Sequence, residues 1–420
     1  MRILILCESI DIDDSSATKG RVALIKNLKQ CGYKLKVYHY TRKNIFLEDI
    51  ECIAIKEQKA NIYYILSKLQ IFIRRIFKIN ISTYFEKQFG FSFSFFNDVN
   101  SIVNTLEKEA DFNPDWVLTL SKAASFRTHK ALLKLPKWHS KWLAYIHDPY
   151  PMHFYPRPYN WVAPGYYQQQ EFFRAVSKKA AHSVFPSKLL MEWMGSYYPD
   201  FLERGIVIPH QITESLEIIK NTPDYFKKNK FTILHAGSLM KPRSPKGLIE
   251  GFQKFLENNI DAKANAQLLI LGKKEYFENY LNAKKNELIQ LYLSSGYVAF
   301  NEVQYIQNHA SVNVILEAKS EISPFLPGKF PHCIKANKPI LYLGPKQSET
   351  LRLLGKDYPF SSEIDDTDNI AKHIEQLYCN WKTKGESQYL NRPDLVTYLS
   401  KENLKHIIYQ INKLKLSIKL

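Results

Sequence analysis

A chain of 420 residues with a net charge of +17 is too long for one core, and ordinary domain sizes predict two or three units of roughly 150–200 residues. Hydrophobic content of 45% with 14% aromatics excludes long disorder, and no apolar run reaches the roughly 18 residues of a transmembrane helix. The charge favours anionic partners: nucleic acid, anionic lipid head groups or phosphate-bearing substrates.

The opening "MRILILCESIDIDD" has an apolar stretch too short for a signal peptide and then turns acidic, so it reads as a first buried strand. "GRVALIKNLKQCGY" has apolar residues at helical spacing and Gly32 as a stop. "KLKVYHY", "WVLTLS" and "WLAYIHD" read as strands buried on both faces, the pattern of a parallel sheet covered by helices. Strand, helix, strand at this spacing is a right-handed βαβ unit. Between them, residues 61–87 read as a basic amphipathic helix. Ile62, Ile65, Leu69, Phe72, Ile73 and Ile76 take one face; Lys68, Arg74, Arg75 and Lys78 take the other. Such a helix either lies on anionic head groups or turns its apolar face into the domain core. Residues 149–165 hold five prolines among many aromatics, which predicts an ordered loop. Its Tyr150, Phe154, Tyr155, Tyr159 and Trp161 serve either to stack on an acceptor sugar or to pin the loop.

After "GIVIPHQITES" the alternation restarts with "KFTILHAGS", "KGLIEGFQKFLENN", "AQLLILGKKE", "VNVILEA", a helix from about Phe330 and "PILYLG". The chain ends in one amphipathic helix. The prediction is an α/β protein of two Rossmann-like, doubly wound parallel-sheet domains facing across a cleft. The N-terminal domain spans 1–210 and the C-terminal domain 211–395, joined near 209–225. Residues 396–420 form a C-terminal helix packing back on the N-terminal domain. The five cysteines are scattered and never in C-x-x-C spacing, which argues against a disulfide framework or zinc site and fits a reducing cytoplasm.

There is no G-x-G-x-x-G after a strand and no G-x-x-x-x-G-K-[ST], so neither a dinucleotide fold nor a P-loop is supported. H-E-x-x-H and G-x-S-x-G are absent as well. What remains is a pair of cation-bearing turns. "LHAGSLMKPRSPKGLIEGF" runs from a strand into Gly237 and Ser238, then places Arg243 and Lys246 at a helix start. Glycine admits close backbone approach, and a helix amino terminus offers N–H groups to an anion. "SPFLPGKFPHCIKANKPILYLGP" sets Gly328 and Lys329 before another helix. Both turns at the carboxyl edge of one sheet could close on a single diphosphate.

With "HAGSLMKPRSPKGLIEGF", "SPFLPGKFPHCIKANKPILYLGP", "WLAYIHDPY" and "VIPH", nearly the whole chain resembles bacterial glycosyltransferases of the GT-B fold, close to glycosyltransferase family 4. The resemblance implies a C-terminal domain that binds a nucleotide-diphosphate sugar and an N-terminal domain that binds a glycan or lipid-linked glycan acceptor. It also implies transfer with retention, in bacterial surface polysaccharide synthesis including lipopolysaccharide. Arg243 and Lys246 would contact the diphosphate. Phe325, Pro327, Gly328 and Lys329 would contact sugar or phosphate. Relatives place a glutamate, which holds both ribose hydroxyls, where this chain has His332, and a glycine where it has Asn337. A carboxylate accepts two hydrogen bonds at once and a neutral imidazole only one. Three explanations stand: Glu317 or Glu321 takes over the ribose, the donor is bound less tightly, or catalysis is lost. The last would leave a catalytically silent nucleotide-sugar-binding protein.

In the N-terminal half, His147 is expected at a strand end contacting the donor sugar, with Asp148 as organiser or acceptor contact and Tyr150 beside the acceptor. Ser16, Thr18 and Gly20 are expected ahead of the first helix, where relatives have a glycine-rich acceptor loop; this chain has one glycine there instead of two. "DIDD" (residues 11–14) resembles the D-x-D of metal-dependent transferases but follows the first strand directly, so Asp11, Asp13 and Asp14 read as a polar loop. No metal or other cofactor is expected. Nucleic acid is not expected either, since no RNA-binding or helix-turn-helix signature accompanies the charge. The expected location is cytoplasmic, peripheral at the inner face of the plasma membrane.

Overall fold

The computed structural model describes residues 1–12, 14, 16–213, 222–384 and 388–417. They form two compact units. Unit 1 comprises Met1–Tyr155, Tyr159–Gln211 and the chain from Lys401 onward; unit 2 comprises Pro156–Pro158 and Ile212–Ser400. The expected joint near 209–225 falls partly outside the described residues.

Unit 1 is built on seven strands: β1 (Arg2–Cys7), β2 (Lys34–His39), β3 (Glu51–Ala54), β4 (Trp116–Leu120), β5 (Trp142–Tyr145), β6 (His182–Phe185) and β7 (Gly205–Val207). They form one sheet in the order β3-β2-β1-β4-β5-β6-β7, and every pairing is parallel. The continuous apolar runs have a simple cause, since alternate residues of β1 go to opposite faces. Leu4 and Leu6 enter a cluster with Val99, Ile102 and Leu106. Ile3, Ile5 and Cys7 enter another with Val22, Leu24, Ile25, Leu28, Leu404, Ile408 and Ile411. The first face is covered by α4 (Phe93–Glu107) and the second by α1 (Ser16–Gln30) and the helix Lys401–Ser417. The single helix expected over 396–420 is divided: Pro393–Tyr398 is a separate short helix, and only Lys401–Ser417 packs beside α1.

Unit 2 repeats the plan with β8 (Phe231–Ala236), β9 (Ala266–Leu271), β10 (Leu291–Leu293), β11 (Val312–Leu316), β12 (Ile322–Ser323), β13 (Ile340–Leu343), β14 (Gln347–Ser348) and β15 (Ser361–Ser362). The main sheet runs β10-β9-β8-β11-β13-β15, with β12 and β14 paired apart. Helices Lys246–Asn258 and Thr367–Lys384 cover one face through Leu248, Phe252, Phe255, Ile370, Ile374 and Leu377. In both sheets the strand order reverses beside the first strand of the unit, between β1 and β4 and between β8 and β11. Ligands of open α/β sheets bind at the carboxyl ends of the strands flanking such a reversal.

Two elements differ from expectation. The helix expected over 61–87 is broken into α2 (Ile62–Phe77) and α3 (Ser82–Phe89), with Lys78 in the left-handed region at φ 58° ending the first. The apolar face of α2 does not join the core. Ile62, Ile65, Leu69, Phe72 and Ile76 are all 50–60% exposed, while the helix docks on α4 through Asn61 and Tyr63. No helix among the described residues is long and apolar enough to cross a membrane.

Candidate functional site

In unit 2 the site starts from β8. Its strand ends at Ala236, and Gly237 turns away at φ 147°, a conformation that L side chains rarely adopt. A Cβ at Gly237 would lie 3.4 Å from Lys329 Nζ and 4.0 Å from His235 Nε2, so the missing side chain leaves a niche faced by both nitrogens. Lys329 reaches down between β8 and β11: its Nζ lies 3.4 Å from His235 Nδ1 and 3.5 Å from the Val314 carbonyl oxygen. His235 is buried, and its Nε2 has no hydrogen-bond partner among the described residues. Arg243 joins the same neighbourhood. Its positive charge acts on Lys329, His235 and Glu317, and its Nε is likewise buried without a partner.

This concentration of positive charge has electrostatic consequences. Burial, with the Arg243 charge adding to it, pushes the Lys329 ammonium down to about 7. Burial and the two cations hold His235 well below the ordinary imidazole range, so its ring is neutral. A buried polar atom left unpaired costs about 1–3 kcal/mol; Arg243 Nε and His235 Nε2, beside a half-discharged lysine, mark a candidate site for a polar ligand.

The structure thus brings Gly237, Arg243 and Lys329 together, and sets Lys246 to one side. Lys246 begins the helix Lys246–Asn258 as expected, but its ammonium lies 5.2 Å above the Tyr280 ring. It borders a shallow hollow of about 310 Å³ lined also by Ser244, Lys319 and Asp365. Ser238 and Gly328 are exposed, and Phe325 and Pro327 half-buried. The helix after Lys329 is only Phe330–Ala336. Its first amides are spent locally, Phe330 N–H on Pro327 and His332 N–H on Lys329, and Pro331 has none. The expected helix mouth therefore offers no free amide from Phe330, Pro331 or His332, which corrects the expectation and leaves the Lys329 side chain as the cation of this turn.

His332 is half-buried, its ring edge-on to Phe300 at 5.1 Å. Of the two carboxylates offered as substitutes, Glu317 is buried and engaged by the Thr350 hydroxyl at 2.5 Å and the Tyr342 hydroxyl at 3.4 Å. Burial raises its pKa. Glu321 is exposed, ahead of β12. Asn337 stands in for glycine because it sits at φ 53°, in the left-handed region where asparagine is tolerated.

In unit 1 the carboxyl ends of β1, β4 and β5 converge on an arginine that the sequence reading passed over. Arg21 is buried; its guanidinium donates to the Ser9 carbonyl (3.5 Å), the Ser121 carbonyl (3.0 Å) and Thr18 Oγ1 (2.6 Å). All three acceptors are neutral. The available signal was register: Arg21 shares a helix face with the buried Leu24, Ile25 and Leu28. His147 lies nearby, just beyond β5. Its Nε2 is buried without a hydrogen bond among the described residues and stands 3.4 Å from Asp148 Oδ2. The ring is bonded to the Ala123 backbone, so the engaged nitrogen is Nδ1. Burial, with Arg21, His129 and His210 nearby, holds His147 well below the usual range. Burial lifts Asp148 to about 6, against a hydrogen bond from Tyr155 and the charge of Arg21.

The expected acceptor contacts are corrected here. Helix α1 begins at Ser16, so Ser16, Thr18 and Gly20 lie inside it instead of in a preceding loop; the buried Val22, Leu24, Ile25 and Leu28 extend the helical register back past the one glycine. Thr18 is buried and accepts from Arg21, and the side chain of Ser16 lies outside the described residues. A Cβ at Gly20 would stand 3.7 Å from His210 Nδ1. Tyr150 cannot face an acceptor, being buried between Phe126, Phe172 and Phe173. Phe154 stacks on Tyr197 at 3.9 Å, so these rings pin the proline-rich loop, while Trp161 is exposed. Asp11 pairs with Lys43 (2.5 Å) and Asp14 with Lys122 (2.6 Å); Asp13 lies outside the described residues.

At the level of sequence, no family model and no curated protein matches. Solved structures do match, over almost the whole chain. Sucrose-phosphate synthase from Thermosynechococcus elongatus superposes with a TM-score of 0.65 at 10% identity, covering 100% of both chains. The fold is GT-B. The same GT-B likeness extends to a glycosyltransferase from Rickettsia africae (TM-score 0.56, 15% identity, 99% of this chain and 97% of that one). It extends also to WaaG, a glycosyltransferase involved in lipopolysaccharide biosynthesis (TM-score 0.54, 12% identity, 97% and 99%). At such identities the likeness is one of fold; the chemistry of this GT-B chain has to come from its own residues.

Proposed function

We propose that this GT-B protein is a glycosyltransferase of the hexosyl or related class that moves a sugar from a nucleotide-diphosphate donor, held by unit 2, to a glycan or lipid-linked glycan acceptor, held by unit 1. It acts with retention, without a metal, in the cytoplasm, in the synthesis of bacterial surface polysaccharide. One observation carries the donor half: among the described residues, His235 Nε2 and Arg243 Nε are buried without hydrogen-bond partners, in company with Lys329, around the niche at Gly237. Phosphate oxygens would accept from Arg243 Nε and add negative charge beside Lys329. When the glycosidic bond to the diphosphate breaks, charge builds on the leaving oxygen, and fixed cations stabilise it more than they stabilise the bound donor. Lys246 stands at the rim with its charge in solvent. On unit 1, His147 offers a neutral, unpaired Nε2 to a sugar hydroxyl, and Arg21 and Asp148 fix the charge around it.

A nucleotide-sugar-binding protein without turnover is the second reading, favoured by His332 at the position where relatives carry a carboxylate. Both readings require donor binding, and one set of measurements tests it. Thermal melting in the presence of UDP-, GDP- and dTDP-sugars is expected to show stabilisation by one of them, about 2.7 kcal/mol at a hundredfold excess over Kd. CMP-sugars, which have one phosphate, are expected to give less. At pH 8 Lys329 is largely discharged in the free protein. A bound diphosphate raises its pKa, so binding takes up a proton and affinity falls as pH rises above 7. Calorimetry in buffers of different ionisation enthalpy reads that proton, and Lys329→Arg is expected to abolish the uptake. No stabilisation by any diphosphate sugar defeats both readings; binding without release of free nucleotide leaves the second.

A further inference from the structure

The apolar stripe on α2 is not used by the fold. Ile62, Ile65, Leu69, Phe72 and Ile76 recur at alternating steps of three and four, so at ~3.6 residues per turn they line one side of the helix. Each is at least half exposed. The opposite side is the docked one: Ser67 is buried, Tyr63 packs on Phe96, and Gln70 bonds Ser82. Phe77 at the last position of the helix, Ile79 just beyond it and Tyr84 on α3 are also exposed. An exposed apolar row of this length is not needed for solubility or packing and marks a binding surface.

Charge identifies the occupant. Helix α2 contains Lys68, Arg74 and Arg75, ends at Lys78, and has no acidic residue. Lys68 and Arg75 follow the stripe along one flank by helical register. Pairing with a second copy of the same helix would bring these cations together with no carboxylate on either helix to offset them. An acidic lipid surface reverses the sign of that interaction, since cations beside an apolar face meet head groups while the face enters the acyl boundary. The whole chain, at +17, adds long-range attraction of the same sign.

We infer that α2 is a membrane-docking helix, lying in the plane of an anionic bilayer with Ile62, Ile65, Leu69, Phe72 and Ile76 inserted and Lys68 and Arg75 at head-group level. This assignment stands on unit 1 alone and does not depend on the donor site.

Co-sedimentation of the full chain with vesicles tests it. Vesicles of phosphatidylglycerol and phosphatidylcholine in equal parts are expected to bind the protein, and phosphatidylcholine vesicles to bind it more than about tenfold less, with binding to the former weakened by salt. Leu69→Glu with Phe72→Glu, and separately Lys68→Glu with Arg75→Glu, are each expected to reduce binding more than about tenfold, whereas Leu69→Ile with Phe72→Leu retains it. Because these side chains are exposed, circular dichroism and melting are expected to be unchanged in all three. Failure of the wild-type protein to bind the anionic vesicles overturns the inference, and so does binding unaffected by the glutamate pairs. A dimer in solution, by light scattering, that the Leu69→Glu, Phe72→Glu pair dissociates would assign the stripe to a second copy instead.

Discussion

Lys329→Ala is expected to weaken binding of the nucleoside diphosphate by about 10- to 150-fold, the range set by charge-assisted hydrogen bonds worth roughly 1.5–3 kcal/mol. The folded protein should not suffer. Lys329 is half-buried, repelled by Arg243 and held to long contacts of 3.4 and 3.5 Å, so its removal relieves desolvation and like-charge repulsion. A melting temperature equal to or above that of the wild type, together with the lost affinity in titration calorimetry, separates a ligand contact from a structural one. Arg243→Ala is expected to act in the same direction. The double variant should fall short of the summed losses, because the two cations address one ligand. Affinity within twofold of wild type for both single variants would remove the diphosphate from this niche.

The second large effect belongs to unit 1. His147→Ala is expected to lower turnover by about 10²- to 10³-fold, as for loss of one preorganised polar group at a reacting centre, while leaving affinity for the nucleoside diphosphate alone unchanged. The imidazole is neutral across the working range, so it does not produce the acid limb of the rate profile. Asp148, lifted to about 6 by burial, is expected to. Activity that needs its carboxylate falls as pH drops through 6, and Asp148→Asn should flatten that limb at a reduced rate. Steady-state kinetics against pH decides it: an acid limb that survives in Asp148→Asn would place the titrating group elsewhere.

The parts of this molecule that could be read in advance share a physical reason. Strands buried on both faces are uninterrupted apolar runs, so β1, β4, β5, β8, β9, β11 and β13 stand out in the sequence. Strand β3 at the sheet edge is only half buried along most of its length, as is β7 throughout, and neither "ECIA" nor "GIV" carries such a signature. Arg243 and Lys329 were visible because cations beside glycine and proline in turns are unusual. His235 and Arg21 were not, for each keeps the register of its apolar neighbours. Gly272 was equally silent, though a Cβ there would come within 2.6 Å of the Gly237 carbonyl oxygen, so it admits the backbone that shapes the niche. Thr18 and Tyr150 failed for one shared reason: polarity in the sequence does not reveal which way a side chain turns. The amphipathic pattern of α2 has the same ambiguity, since periodicity marks an apolar side without saying whether protein covers it.

Unit 1 is assembled from segments far apart in the chain, with α1 sharing its apolar cluster with Leu404, Ile408 and Ile411. During synthesis the first 211 residues therefore emerge without the helix that completes them. At ribosomal speeds of about 5–20 residues per second, the roughly 190 residues between take on the order of 10–40 s. Unit 2, almost contiguous, is able to reach its native form first, leaving the earlier-made half waiting with Val22, Leu24 and Leu28 uncovered. A fragment ending at Gln211 is accordingly expected to bind a hydrophobic dye and to lose it when a peptide of residues 401–417 is added; a fragment that stays dark alone would show that the late helix is dispensable.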